Sequence, residues 1–110
     1  MTVGRIIREL SATPVNVANP ERVIDGVYVG DLLSWVMGRA KEDNAWITIM
    51  SNINVVAVAT LVDTACVILA EGVTLDEDTV TAAKAKGINI LSTELTAYET
   101  AVKLSGLLSV

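Results

Sequence analysis

The sequence predicts an α/β fold of three layers, a mainly parallel central sheet with flanking helices. Three observations carry that expectation. From Trp46 onward, strand-like and helix-like segments alternate, and short connections with a helix between strands give parallel pairing and right-handed crossovers. Ala65 to Ala70 is an unbroken apolar run, the pattern of a strand covered on both faces. The chain has 110 residues, 52% hydrophobic and 19% charged, which suits one domain with a core and excludes a disordered chain. A single domain over 1–110 is expected.

Val3, Ile6, Ile7 and Leu10 share one face of a short first helix, with Thr2 as its cap. Pro14 prevents helix in the next segment, and Val15 and Val17 alternate about Asn16 as a short strand does. Arg22 to Val29 reads as a second strand, with Gly26 marking a bulge or a close approach of backbone. Asp31 is a good N-cap, and Leu32, Leu33, Val36, Met37 and Ala40 form an apolar stripe behind it. Trp35 falls on the rim of that stripe, where it can anchor a partner.

Trp46 to Ile49 is a run of β-formers, with Trp46 in the core. Ser51 and Asn52 break it and can cap the alanine-rich helix expected from Asn54 to Val62. After the apolar strand, Thr74-Leu75-Asp76-Glu77 fits the capping box of a further helix, closed by Lys84, Lys86 and Gly87. Ile88 to Leu91 is the last strand. Ser92 and Thr93 then cap a final helix, with Leu95, Tyr98, Ala101 and Val102 on one face.

Eight basic and thirteen acidic residues give a net charge of −5, the wrong balance for a nucleic-acid binder. A single cysteine makes no internal disulfide, so a reducing, cytoplasmic setting is expected. Arg5, Arg8 and Glu9 interrupt any apolar signal core. The long charge-free stretch from Asn44 to Val62 holds Ser51, Asn52 and Asn54 at its middle, which argues against a membrane span.

Without histidine, acid–base work near neutral pH would require a carboxylate with a strongly shifted pKa, and no spacing among Asp31, Asp63, Glu71 and Glu94 points to one. Cys66 lies inside an apolar strand with nothing to activate it. No ligand spacing for zinc or calcium occurs, so no catalytic residue, metal or cofactor is expected. Ligands of parallel sheets sit outside the carboxyl ends of the strands. Those ends supply the candidate ligand-binding residues: Ser51, Asn52 and Asn54, then Glu71 and Gly72, then Thr93 and Glu94. Ordinary capping and turn formation accounts for the same residues.

The order of these segments resembles one family. Gly30-Asp31-Leu32-Leu33-Ser34 followed by Val36-Met37 looks like its first helix. Trp46-Ile47-Thr48 and Asn54-Val55-Val56-Ala57-Val58-Ala59 look like its central strand and helix. Ile68-Leu69-Ala70-Glu71-Gly72 and Ile90-Leu91-Ser92-Thr93-Glu94 complete the set. These resemble the DRTGG domain family over nearly the whole chain. The string that names the family is absent, and Ile49-Met50-Ser51-Asn52-Ile53 stands in its place.

The resemblance implies a fold like the N-terminal domain of HPr kinase/phosphorylase. It implies an accessory role as well. Members occur fused to phosphotransacetylases and, with CBS domains, to regulated pyrophosphatases, and some stand-alone members are encoded near iron-hydrogenase subunits. The family brings no established catalytic residues. The expectation is a non-catalytic regulatory or assembly module, a cytoplasmic homodimer with a regulatory partner protein. The alternative is a sensor of a nucleotide or other small anion at the strand ends.

Overall fold

The computed structural model describes residues 1–108. In chain order the elements are α1 (Val3–Leu10), β1 (Thr13–Asn16), β2 (Val27–Val29), α2 (Leu33–Arg39), β3 (Ala45–Thr48), α3 (Asn54–Val62), β4 (Cys66–Leu69), α4 (Glu77–Lys86), β5 (Ile90–Ser92) and α5 (Ala97–Leu108). The sheet order is β1-β5-β4-β3-β2. Strands β2 to β5 are parallel, and β1 runs antiparallel to β5 at the far edge.

Each parallel crossover steps the same way across the sheet, so α2, α3 and α4 share one face. Val36, Val55, Val56, Val58, Ala59 and Ala83 from those helices pack there against Trp46, Val67, Leu69 and Ile90. The alternate strand residues Ala45, Ile47, Cys66, Ile68 and Leu91 face α1 and α5, where Val3, Ile6, Leu10 and Leu104 cover them. This is the expected three-layer arrangement. Trp46 is fully buried, and its indole N–H donates to the Gly30 carbonyl at 2.9 Å.

Several local expectations are corrected. The second strand is Val27–Val29 only, because the chain from Arg22 to Gly26 bonds elsewhere. Ile24 N–H goes to Met1 O and Asp25 N–H to Asp43 O, and Gly26 turns at φ 83° before the strand begins. Asp31 does not cap α2, whose N-cap is Leu32 without a side-chain bond. Of the stripe behind it only Val36 is fully buried, and Leu32 and Met37 are exposed. Ile53, and not Ser51 or Asn52, holds the N-cap position of α3, although Asn52 Oδ1 accepts the N–H of Asn54, the first helical residue.

The cap of α4 is Asp76, accepting from Thr79 N–H, so Thr74-Leu75-Asp76-Glu77 is not the capping box. Gly87 does close α4 in the left-handed region at φ 67°. The box of the last helix is Thr96 with Glu99, each side chain accepting from the other's N–H. That later start rotates α5 relative to the expected stripe. Thr100 and Leu104 are buried, while Tyr98 and Val102 point to solvent.

Candidate functional site

The carboxyl ends of β3, β4 and β5 lie side by side, and the structure joins two of them. Beyond β4 the chain turns through two consecutive left-handed residues, Glu71 at φ 61° and Gly72 at φ 71°. This turn aims both N–H groups at the end of β5: Glu71 N–H donates to Leu95 O at 2.8 Å and Gly72 N–H to Thr93 O at 2.9 Å. The Glu94 carboxylate lies directly over Gly72, where a Cβ would come within 2.6 Å of its Oε2. The positive φ favours glycine there, and a Cβ would in addition displace the flexible Glu94 carboxylate. Thr93 is buried, and its hydroxyl accepts from Leu95 N–H. Glu71, Gly72, Thr93 and Glu94 thus form one polar corner.

Ser51, Asn52 and Asn54 stay at the neighbouring strand end, and among the described residues no hydrogen bond links them to that corner. Asn52 Oδ1 accepts from Asn54 N–H, an Asx turn. The side chain of Asn54 makes no hydrogen bond among the described residues. Much of the donor capacity expected at this helix start is already engaged. Ile49 N–H goes to Asp31 Oδ1, Met50 N–H to Thr48 Oγ1, Val55 N–H to Asn52 O, and Val56 N–H to Ile53 O.

Asp31 has a role that sequence reasoning missed. Its Oδ1 accepts from the Thr48 hydroxyl at 2.8 Å and from Ile49 N–H at 2.9 Å, tying the end of β2 to the end of β3. Three carboxylates, on Asp31, Glu71 and Glu94, therefore stand along this end of the sheet. A cavity of about 230 Å³ opens next to Glu94, lined by Ser92, Thr93 and Leu95 with Leu10, Ser11 and Thr13 across from them.

Cys66 is fully buried, and burial pushes its thiol up to about 12, with the charge of Arg22 pulling weakly the other way. It is a packing residue and not a nucleophile at neutral pH. Among the described residues no group of three or more Asp, Glu, Cys or His side chains is placed to hold a metal ion. None of the described helices is long and apolar enough to cross a membrane.

At the opposite end of the sheet, Arg22 holds two loops together. Its guanidinium bonds Asp43 at 2.8 Å, Asp63 at 2.9 Å and the Asp63 carbonyl at 2.7 Å. Burial pulls the Arg22 pKa down, but the hydrogen bonds and charges of the two aspartates outweigh it and the net shift is upward. Both aspartates sit in the left-handed region, at φ 66° and 64°. Nearby, buried Asn89 makes three hydrogen bonds, accepting from Asn19 N–H and donating to Asn19 O and Ala65 O.

Residues 5–107 match the DRTGG domain. The chain belongs to the DRTGG domain family. No curated protein matches it in sequence. In fold it is similar to the crystal structure of the CBS and DRTGG domains of the regulatory region of Clostridium perfringens pyrophosphatase, complexed with the activator diadenosine tetraphosphate. The TM-score is 0.75 at 16% identity, covering 94% of this chain and 45% of that one. The present chain thus spans less than half of that regulatory region. The DRTGG fold is retained although the string that names the family is absent from the sequence.

Proposed function

We propose that this DRTGG domain is a non-catalytic regulatory and assembly module that acts as a cytoplasmic homodimer. The observation that carries the reading is the number of large apolar side chains left exposed between β2 and the start of α3: Val29, Leu32, Trp35, Met37, Ile49 and Ile53, with Trp35 at 52% and Leu32 at 59%. The Asp31 bond to Ile49 N–H holds the ends of β2 and β3 together. Strand β2 is also an edge of the sheet, and edge strands offer backbone groups to a second chain. An aromatic anchor among aliphatic side chains at such an edge is typical of protein interfaces. The Arg39 guanidinium lies 3.6 Å from the centroid of the Trp35 ring and supplies a polar rim. The accessory setting of the Clostridium perfringens neighbour supports a role in regulating a partner protein rather than in chemistry.

Sedimentation equilibrium tests this reading. The wild type should run at twice the 11.6 kDa chain mass, and Trp35→Glu with Leu32→Glu should run as a folded monomer. A wild type that is monomeric at every concentration overturns it.

A second reading has its own observation, the cavity beside Ser92, Thr93 and Glu94. In it the domain senses a small ligand at the strand ends, through Glu71, Gly72, Thr93 and Glu94 and, on the adjoining turn, Ser51, Asn52 and Asn54. Asp31, Glu71 and Glu94 repel a bare anion, so a nucleotide would enter this end with a divalent cation. A rise in melting temperature with nucleotide plus magnesium, and none with either alone, is the expected signature. No rise across a nucleotide panel, in protein free of copurified ligand, returns the function to assembly alone.

A further inference from the structure

The two edges of the sheet differ. Strand β1 carries Pro14, and its pairing with β5 shifts register between Pro14 and Asn16. Proline and irregular pairing are ordinary ways of blunting an edge. Strand β2, Val27-Tyr28-Val29, has neither, and no charged residue lies within it.

The parallel ladder fixes which backbone groups of β2 are used. Val27, Tyr28 and Val29 lie opposite Ala45, Trp46 and Ile47. The ladder is entered by Ala45 N–H on Gly26 O and left by Gly30 N–H on Ile47 O. Successive residues of a strand turn their N–H and C=O groups to opposite sides. Tyr28 therefore turns both groups toward β3, and Val27 and Val29 turn theirs outward. Among the described residues, no loop, helix or side chain reaches across to bond either valine, although the flanking Asp25 and Gly30 carbonyls are taken by Asn44 and Trp46.

The sequence here is symmetric. Asp25-Gly26-Val27-Tyr28-Val29-Gly30-Asp31 reads the same in both directions about Tyr28. A twofold axis at Tyr28 sets two β2 strands antiparallel, with Val27 of each copy opposite Val29 of the other. Each of these valine pairs exchanges two N–H···O bonds, so every outward group of the strand is satisfied. Tyr28 then faces its own counterpart as a non-hydrogen-bonded pair. Sliding the register by two residues leaves one self-opposed valine pair and sets the other valine against Asp25 or Asp31. The side chains agree with the symmetric register. Val29 is 50% exposed, and it gains Val27 of the second copy as a cross-strand neighbour on the same face.

One effect opposes this pairing, because Asp25 and Asp31 approach each other across the axis. The Asp31 carboxylate, however, is drawn back onto β3 by Thr48 and Ile49. Asp25 is exposed, so salt screens what repulsion is left.

We propose that two copies of this chain pair antiparallel through β2, about a twofold axis at Tyr28, so that two five-stranded sheets become one continuous sheet. The inference rests on the homodimer reading and adds the strand, its direction and its register.

The test is amide hydrogen exchange by NMR on the full chain, at a concentration where sedimentation equilibrium gives the dimer mass. Tyr28 N–H is bonded to β3 in monomer and dimer alike and serves as the internal reference. Val27 and Val29 N–H should be protected in the dimer and exchange freely on dilution to monomer. Val29→Pro removes an N–H that bonds nothing within the protomer, so it should fold. It should weaken the dimer by about tenfold or more, the size of two hydrogen bonds lost across the axis. Tyr28→Cys should form an interchain disulfide under mild oxidation, since Cα atoms of a non-hydrogen-bonded pair lie about 4.5 Å apart. Leu61→Cys, at an exposed position on α3, should not. Cys66 is buried and stays out of the reaction. A dimer whose Val27 and Val29 amides exchange as fast as exposed loop amides, or whose affinity is unchanged in Val29→Pro, overturns the strand pairing and leaves the homodimer reading standing. Protected valines in a dimer that folded Tyr28→Cys does not cross-link refute the register. A chain that is monomeric at every concentration overturns both readings.

Discussion

Removing the Asp31 carboxylate tests whether the strand-end turns are held by side chains or by backbone alone. In Asp31→Ala two hydrogen bonds disappear, from the Thr48 hydroxyl at 2.8 Å and from Ile49 N–H at 2.9 Å. Thr48 is 1% exposed, so its hydroxyl proton loses an acceptor where water does not readily reach. Asp31 itself is exposed, which puts each bond near the ordinary net value and not the charged maximum. About 0.5–1.5 kcal/mol per bond gives a loss of roughly 1–3 kcal/mol. With a urea m-value of about 1–3 kcal/mol per molar, the unfolding midpoint should fall by roughly 1 M at unchanged slope. Asp31→Asn retains an acceptor oxygen and should recover about half of the loss. Amide exchange at Ile49 should quicken in the alanine variant well before global unfolding. A midpoint within about 0.3 M of wild type, with Ile49 still protected, would refute the assignment of Asp31 as the tie between β2 and β3.

Two further outcomes follow from the same bonding pattern. Asn89→Ala strands Asn19 N–H, Asn19 O and Ala65 O at once and should cost roughly 1.5–4 kcal/mol by urea unfolding, a large share of a small domain's stability. The carboxylates of Asp76 and Glu99 are both held below their ordinary values, by the N–H groups of Thr79 and Thr96 respectively. A depressed folded-state pKa means stability that is present above the unfolded value and lost as pH falls through the folded one. Thermal unfolding followed by circular dichroism should therefore weaken below pH 4.5, the ordinary glutamate value. Asp76→Asn with Glu99→Gln should lose less over that window, and an equal loss would dismiss the two caps as its source.

The layer order and strand identities were legible because they rest on long apolar patterns. Ala65 to Ala70 reads as a doubly covered strand and is one, with Cys66 to Leu69 fully buried. What failed was local. The α5 stripe was misplaced because Tyr98 and Val102 look like core residues, yet Thr96 and Glu99 already mark the start of the helix. Counting from that box puts Ala97, Thr100, Ala101 and Leu104 on one face, with a threonine inside the core. Thr100 is tolerated there because its hydroxyl donates to Thr96 O. The second strand was drawn too long because Val23 and Ile24 are β-formers. That Ile24 N–H finds the Met1 carbonyl and Asp25 N–H that of Asp43 depends on tertiary approach and leaves no periodic trace.

The site was harder to read for a reason rooted in electrostatics. The rule that ligands gather at the carboxyl ends of parallel strands rests partly on helix amino termini, whose free N–H groups and dipoles attract anions. This chain places Asp31, Glu71 and Glu94 at that end, and Arg22 and Lys86 at the other. Each set complements the helix ends it faces, which stabilises the fold. The same compensation opposes the anion attraction at the carboxyl end. Sequence rules register the polar residues of both ends but not their pairing. Thr64, one residue ahead of an apolar run, reads as a simple strand boundary. In the structure it is buried, 4% exposed, with Asn89 and Arg22 lining the same cavity. Pairing is a property of neighbours distant in sequence: Arg22 before β2 meets Asp43 before β3 and Asp63 after α3, and Asn89 ahead of β5 meets Asn19 and Ala65.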